Sequence, residues 1–422
     1  MRQRQQLARL VGTFAVMFAA AAAACAKAAD TDTRATARAD STAEENAPTV
    51  SAIENPAPVG SSSPSLTVSA SGRVFLAWQE RNSDSTLALH YVTRGAADNT
   101  WSTVRYVNTG KNMLASATDV PSVHELENAA LVAIWRSSHG EDGYDVAMAH
   151  SEDQGATWSA PETPHGDVTP TEHGFVSWLQ LGDSTGVVFL DGRMNADKDK
   201  TKHATHLTLA MFDKMNRTKK EFVIDPMICD CCHTSSAIVP GGAVVVYRNR
   251  TDAEIRDINV IRIAGNKWRE PVAVHNDKWH ISGCPVNGPS ISAIGENVTV
   301  AWFTAANDSA RVRVAFSSDT ANTFGAPIEV NEGFPDGKVG VVLRNADEAV
   351  VSWIERRDKM AVLRVRSIHR DGTKGPITNV ADLGDGKRAG GAPKLVTAGD
   401  RILLAWTDLA TQRVRLAEIK TP

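Results

Sequence analysis

The 422-residue sequence predicts an all-β chain closed into a seven-bladed β-propeller, on three observations. One short apolar run recurs seven times, each copy is flanked by further strand-like segments and turns, and no window keeps a 3.6-residue apolar period. The runs are RVFLAW at 73–78, ALVAIW at 130–135, GVVFL at 186–190, AVVVY at 243–247, VTVAW at 298–302, AVVSW at 349–353 and RILLAW at 401–406. Their last residues, Trp78, Trp135, Leu190, Tyr247, Trp302, Trp353 and Trp406, stand 51 to 57 positions apart. Runs this short and this rich in β-branched and aromatic residues read as strands. Each is preceded by a shorter apolar segment and a turn, as in PSLTVSASG, SAIVPGG, PSISAIGEN and PKLVTAGD, and followed by two more strand-like segments, as in VRVAFSS and APIEVNE. Four strands in a repeat of about 55 residues make one blade.

The seventh repeat stops after its third strand, because Val414–Ile419 is followed almost at once by the last residue given. The segment Thr49–Asn55 (TVSAIEN) has the form of the outer strands WSTVRYVN and PVAVHND, so it is expected to complete blade seven. A six-bladed ring and a pair of stacked β-domains are the alternatives. Near-equal spacing without a linker favours one domain over residues 48–422.

Lys and Arg total 45 and Asp and Glu 49, so no positive excess is available to neutralise phosphates, and nucleic acid is excluded as a partner. Arg2, Arg4 and Arg9 precede an apolar run from Leu10 to Ala24. That run suits a signal h-region better than a membrane span of roughly 20 residues. Residues 1–24 are thus expected to be a signal peptide. Ala22-Ala23-Ala24-Cys25 resembles a bacterial lipobox with Cys25 as the lipid-bearing residue, ordinary cleavage within the Ala run being the alternative. Ala26 after the cysteine points, by the same resemblance, to a periplasmic or outer-membrane lipoprotein of a Gram-negative bacterium. Residues 25–47, rich in Ala, Thr, Asp and Glu, read as a flexible tether. Removal of residues 1–24 leaves 42 basic against 49 acidic residues, about −7. A monomer that touches membrane only through its lipid is expected.

Ser151-Glu152-Asp153-Gln154-Gly155-Ala156-Thr157-Trp158 resembles the Asp-box, or BNR repeat, of the sialidase superfamily. Ser317-Ser318-Asp319-Thr320-Ala321-Asn322-Thr323-Phe324 is a weaker copy with Ala in the Gly slot. Both fall between the third and fourth strands of their blades, where the superfamily carries them. The resemblance implies a sialidase-like propeller, and for a true sialidase an arginine triad, a Tyr nucleophile assisted by Glu, and an Asp acid/base. An RIP-type motif is missing from the first blade, and the tyrosines are Tyr91, Tyr106, Tyr144 and Tyr247, none in the late position the superfamily uses.

In a four-stranded blade, the loops joining strands two and three and those entering the next blade share one face, opposite the Asp-boxes. Arg81, Arg193, Arg250 and Arg356 each stand three residues beyond the aligned aromatic or Leu, and Glu80, Glu355 and Asp408 fill the slot before. A ring of Arg with interleaved carboxylates at the channel mouth is expected, suited to carboxylate or phosphate ligands, with inter-blade ion pairing as the alternative. Cys229-Asp230-Cys231-Cys232-His233 enters blade four, and His280-Ile281-Ser282-Gly283-Cys284 enters blade five, one repeat later. The four cysteines should therefore meet on that face, with His139 and His173 approaching from the neighbouring side. Two disulfides, a soft-metal site of Cys229, Cys231, Cys232, His233 and Cys284 for which copper is the favoured ion, and one bridge with two remaining thiols are all open. A catalytic Cys–His pair from Cys232 or Cys284 with His233 or His280 is also considered.

The leading functional expectation is binding of an anionic glycan, a peptide or a soft metal at this loop face. A glycoside hydrolase or lyase acting on acidic sugars, with Glu80, Asp191, Glu254 or Glu355 as acid/base groups, and a periplasmic copper-binding protein are the alternatives.

Overall fold

The computed structural model describes residues 47–422, apart from 111, 141–142, 183, 213–219 and 386–390. The signal segment, Cys25 and all but the end of the tether lie outside these residues. Seven antiparallel sheets follow one another along the chain as the blades of a propeller. Their innermost strands are Ser61–Val68, Ser122–Glu125, His173–Leu181, Ser235–Val239, Ser290–Ile294, Phe334–Leu343 and Lys394–Ala398. Blade two has three full strands, with a Met148–Glu162 bridge in the fourth position. In blade four the outer position is split between Lys267–Trp268 and Val272–His275. No α-helix occurs among the described residues, and none of their helices is long and apolar enough to cross a membrane.

The ring closes as the sequence predicts. Thr49–Ile53 pairs antiparallel with Arg413–Lys420, in a register from Thr49 opposite Lys420 to Ile53 opposite Leu416. The first described strand thus becomes the outer strand of the last blade.

The apolar runs are the second strands, and each serves two interfaces at once. Side chains alternate along a strand, so Ala243, Val245 and Tyr247 pack toward blade three while Val244 and Val246 pack toward blade five. In blade six, Ala349, Val351 and Trp353 face blade five, and Val350 and Ile354 face blade seven. Seven hydrophobic clusters result, one for each pair of neighbouring blades around the closed ring. Around the axis the innermost strands are joined across blades by hydroxyls. Thr234 Oγ1 donates to Phe175 O at 2.8 Å, Ser236 Oγ to Trp178 O at 2.8 Å, and Ser63 Oγ to Ser116 O at 2.8 Å.

Blade three corrects the sequence alignment. Phe189, not Leu190, faces the preceding blade as Trp135, Tyr247 and Trp353 do, and Leu190 faces the following one. Side chains alternate regularly from Val187 to Leu190, so the aromatic slot falls one position earlier than the aligned run suggests; the bulge of this blade lies on the innermost strand, where Val188 pairs with Ser177 and Leu190 with Gly174. Asp191 therefore occupies the slot of Glu80, Glu355 and Asp408, and Arg193 lies one residue past the slot of the other three arginines.

Both Asp-boxes are built as local turns. Asp153 Oδ1 accepts from Ser151 Oγ and from Thr157 N, each at 2.8 Å, and Asp153 Oδ2 accepts from Thr157 Oγ1 at 2.6 Å. Those bonds, led by the Thr157 hydroxyl, hold the Asp153 carboxyl down at about 2. Trp158 stands edge-on to Tyr91. Gly155 has φ +85°, and a Cβ there would meet Tyr91 Oη at 1.9 Å. The second box repeats the bonds through Asp319, Ser317 and Thr323, with Ala321 at φ +63°.

Two substitutions test this packing by denaturant unfolding. Trp353→Ala, at a fully buried site between blades five and six, is expected to cost about 3–5 kcal/mol. Gly155→Ala combines positive φ with a clash against a buried ring and is expected to cost roughly 1–3 kcal/mol, whereas the same change at Gly182, open to solvent, meets no atom within 4 Å.

Candidate functional site

The loops joining second to third strands and those entering each first strand gather the chemistry-bearing side chains on one face, away from the Asp-box turns. Rigid blades hold them, as scaffolds commonly hold functional loops.

The expected Arg–carboxylate ring is bonded differently from the sequence reading. Arg193 is clamped by Asp191 and by Glu221 at 2.7 Å, and Arg250 by Glu254 at 2.5 Å. Arg356 is held by Asp336 at 2.7 Å, and Arg81 donates to the Ser85 carbonyl at 3.0 Å. No described hydrogen bond or ion pair joins these arginines to Glu80 or Glu355. Instead Trp78 Nε1 donates to Glu80 at 2.6 Å and Trp353 Nε1 to Glu355 at 2.8 Å. Glu355 is only 3% exposed and also pairs with Arg364 at 2.6 Å. These two glutamates satisfy buried indoles. Of the other acid/base candidates, Asp191 is buried and bonded to Arg193 and Thr208, and Glu254 is shared by Arg250 and Arg256.

The four cysteines do converge. Cys231 and Cys284 form a disulfide, while Cys229 and Cys232 are buried thiols whose sulfurs share a hydrogen bond at 3.4 Å. Cys229 Sγ also lies 3.8 Å from Cys231 Sγ. Arg256, itself nearly inaccessible, donates to Cys229 Sγ at 3.2 Å. The Cys232 hydrogen bond, with Arg256 and the charge of Arg248, pulls the Cys229 thiol down to about 6 against the opposing effect of burial. Burial and the neighbouring Cys229 push Cys232 up. His233 is a correction to the expected ligand set, for it lines the axial channel and stands outside the groups of converging donors. In an extended segment successive side chains point opposite ways, so the chain that sends Cys232 to the sulfurs sends His233 to the axis. His280 is exposed.

The axial channel contains a cavity of about 290 Å³, close to the lower end of small-molecule sites. Its wall is mainly hydroxyl and amide, with Asp119, His124, His233 and Lys394 as ionisable members. Asp119 Oδ2 and His233 Nδ1 have no internal hydrogen-bond partner. Burial lowers the Lys394 and Lys338 amines and raises the Asp119 carboxyl, and it brings His124 to about 4. Lys338 flanks the cavity and donates to the Val286 carbonyl. Among the described residues no carboxylate lies within ion-pairing distance of either lysine.

His139 and His173 approach each other rather than the sulfurs, around Asp145 at the junction of blades two and three. His165, which sequence reasoning missed, joins them, its ring stacked on His173 at 4.1 Å. Nothing in the repeat pattern marks His165, which lies in the loop between blades.

None of the tyrosines meets the needs of a nucleophile. Tyr91 and Tyr247 are fully buried between blades. Tyr144 is pushed up by burial and by the adjacent Glu172, and Tyr106 sits on an outer strand.

The Cys arrangement gives two expected measurements. Intact mass after denaturing alkylation without reductant should count two blocked thiols besides Cys25, and four after reduction; zero or four without reductant would contradict the single bridge. Thiolate absorbance should rise with a midpoint near pH 6 and move up in Arg256→Met. Because the folded Cys229 value lies below its ordinary value of 9.0, this group contributes stability that is complete above about pH 9 and lost as pH falls through about 6.

No protein-family model and no curated protein matches this sequence. Solved structures do match in fold. BP39L lectin from Burkholderia pseudomallei superposes with a TM-score of 0.59 at 11% identity, over 86% of this chain and 96% of the lectin. Polysaccharide lyase Uly1 gives 0.48 at 8% identity, over 87% and 92%. Trypanosoma rangeli sialidase in complex with sialic acid gives 0.44 at 12% identity, over 87% and 59%. At such identities the likeness is one of fold alone: this chain is a seven-bladed β-propeller.

Proposed function

We propose that the mature protein is an exported, lipid-anchored monomer that binds an acidic glycan where the axial channel opens among the strand-entry loops. The observation that carries this reading is the axial cavity. It sets Lys394, with no carboxylate within ion-pairing distance among the described residues, and two open polar atoms on Asp119 and His233, in a wall of Ser and Thr hydroxyls, with Lys338 close behind. Ammonium groups suit a sugar carboxylate or sulfate, and hydroxyls suit the rest of a sugar ring. The fold is one in which BP39L is a lectin, which is consistent with this reading but does not carry it, since function lives in the site.

Calorimetry against a panel of uronate, sialylated and sulfated oligosaccharides, with neutral ones as controls, tests it. Wild type should bind an acidic member more weakly as salt rises, and Lys394→Met, still folded, should lose roughly tenfold or more in affinity. Binding to neutral glycans alone, or unchanged affinity in Lys394→Met, would reject the reading. Release of new reducing ends from the same panel would favour the hydrolase or lyase alternative.

A second reading, copper binding, is favoured by the convergence of Cys229, Cys231, Cys232 and Cys284. After reduction the four sulfurs offer a thiolate-rich site, which soft Cu(I) prefers. Reduced protein should withdraw Cu(I) from a chromophoric chelator at one equivalent per chain, and Cys229→Ser/Cys232→Ser should not.

A further inference from the structure

We propose that Asp145, His165 and His173, with His139 at their open side, form a binding site for a divalent transition-metal ion of the zinc type. The site is separate from the cysteines and from the axial cavity, and it uses residues that neither reading above employs. Its donors come from four places on the loop face. His139 follows the second strand of blade two, Asp145 is the second residue of its third strand, His165 lies in the connection to blade three, and His173 begins that blade's first strand.

Asp145 Oδ1 lies 3.0 Å from His173 Nδ1 and 3.5 Å from His165 Nε2, and Asp145 Oδ2 lies 2.8 Å from His139 Nδ1. Zinc–nitrogen and zinc–oxygen bonds of about 2.0–2.2 Å in a tetrahedron place neighbouring donors about 3.3–3.6 Å apart. Asp145, His165 and His173 each offer a donor atom within 4.8 Å of the other two, so these three need only small adjustment to receive an ion, and His139 reaches Asp145 Oδ2 from the open side. His165 supplies the second, independent observation. It is 2% exposed, yet neither ring nitrogen has a hydrogen-bond partner. A buried polar ring left this way is costly, and a metal at Nε2 removes half of that cost.

The surrounding groups are those that metal-bound histidines use. With Nδ1 of His173 facing the ion, its Nε2 is 3.3 Å from Asp191 Oδ1 and 3.3 Å from Asp167 Oδ2. Carboxylates behind a ligand histidine fix its ring and tautomer. Asp191 is in turn fixed by Arg193 and by Thr208 Oγ1 at 2.8 Å. Three carboxylates, Asp145, Asp167 and Asp191, face this spot against one guanidinium, Arg193, which Asp191 shares with Glu221, so the surroundings are net negative and favour a cation over a neutral occupant. The imidazole and carboxylate donors select zinc, nickel, cobalt or Cu(II) over Cu(I). The His139 side chain is 39% exposed, which opens the site to solvent.

The experiment uses the full chain carrying Cys229→Ser/Cys232→Ser, so that thiolates do not take the probe, stripped with chelator and titrated with zinc chloride by calorimetry. One equivalent of zinc should bind, and cobalt should give a d–d spectrum without sulfur charge transfer. His165→Gln should weaken zinc by roughly a hundredfold or more, and Asp191→Asn by about 10–100-fold. His139→Ala changes an exposed side chain and guards against misfolding: with the circular dichroism of the parent, it should still lose about tenfold or more. No zinc uptake by the parent, or unchanged affinity in both His139→Ala and Asp191→Asn, would overturn the proposal.

Discussion

The pairing of Thr49–Ile53 with Arg413–Lys420 is the interaction on which the ring depends. Each blade buries two faces, so an open row of seven would leave blades one and seven each with an uncovered apolar face. Bringing the two ends of the described chain into one sheet supplies the seventh interface, the cluster around Leu76, Trp78, Leu403 and Leu416. It also covers the edge of Arg413–Lys420, which would otherwise stand as an unpaired template. Near-equal blades, two-sided second strands and a common loop face all presuppose that closure.

Given a closed ring, topology decides where chemistry collects. Loops one repeat apart in sequence become neighbours on one face, which is how Cys229–Cys232 meets Cys284. The same rule brings His139, Asp145, His165 and His173 together between blades two and three. The buried arginines work differently. Arg248 donates to the carbonyls of Asn287, Phe303 and Arg256, tying the loops of blades four and five beneath the sulfurs. That cation both fixes the backbone under the cluster and biases Cys229 toward its thiolate.

The fold was legible because two-sided burial turns each second strand into an uninterrupted apolar run, and a ring repeats that run at near-constant spacing. The closing strand was legible because its pattern matched the outer strands whose place it takes. What the sequence concealed was direction. Spacing put Glu80 and Glu355 beside arginines, but the indoles of Trp78 and Trp353 reach those carboxylates two residues along the same strand. In blade three the aromatic slot falls on Phe189 and not on Leu190, so Arg193 stands one residue past its expected slot. Clustering of the cysteines followed from repeat arithmetic, but the turning of His233 to the axis depended on strand alternation through a loop. His165 has no counterpart in other repeats, so no periodic signal pointed to it.

The direction of the closing strand also places the seam along the axis of the ring. Thr49 lies opposite Lys420, at the end of the third strand of blade seven, and that end is on the Asp-box side. The seam that closes the ring therefore begins on the underside, at the opposite end of the axis from the channel mouth, the sulfurs and the histidines.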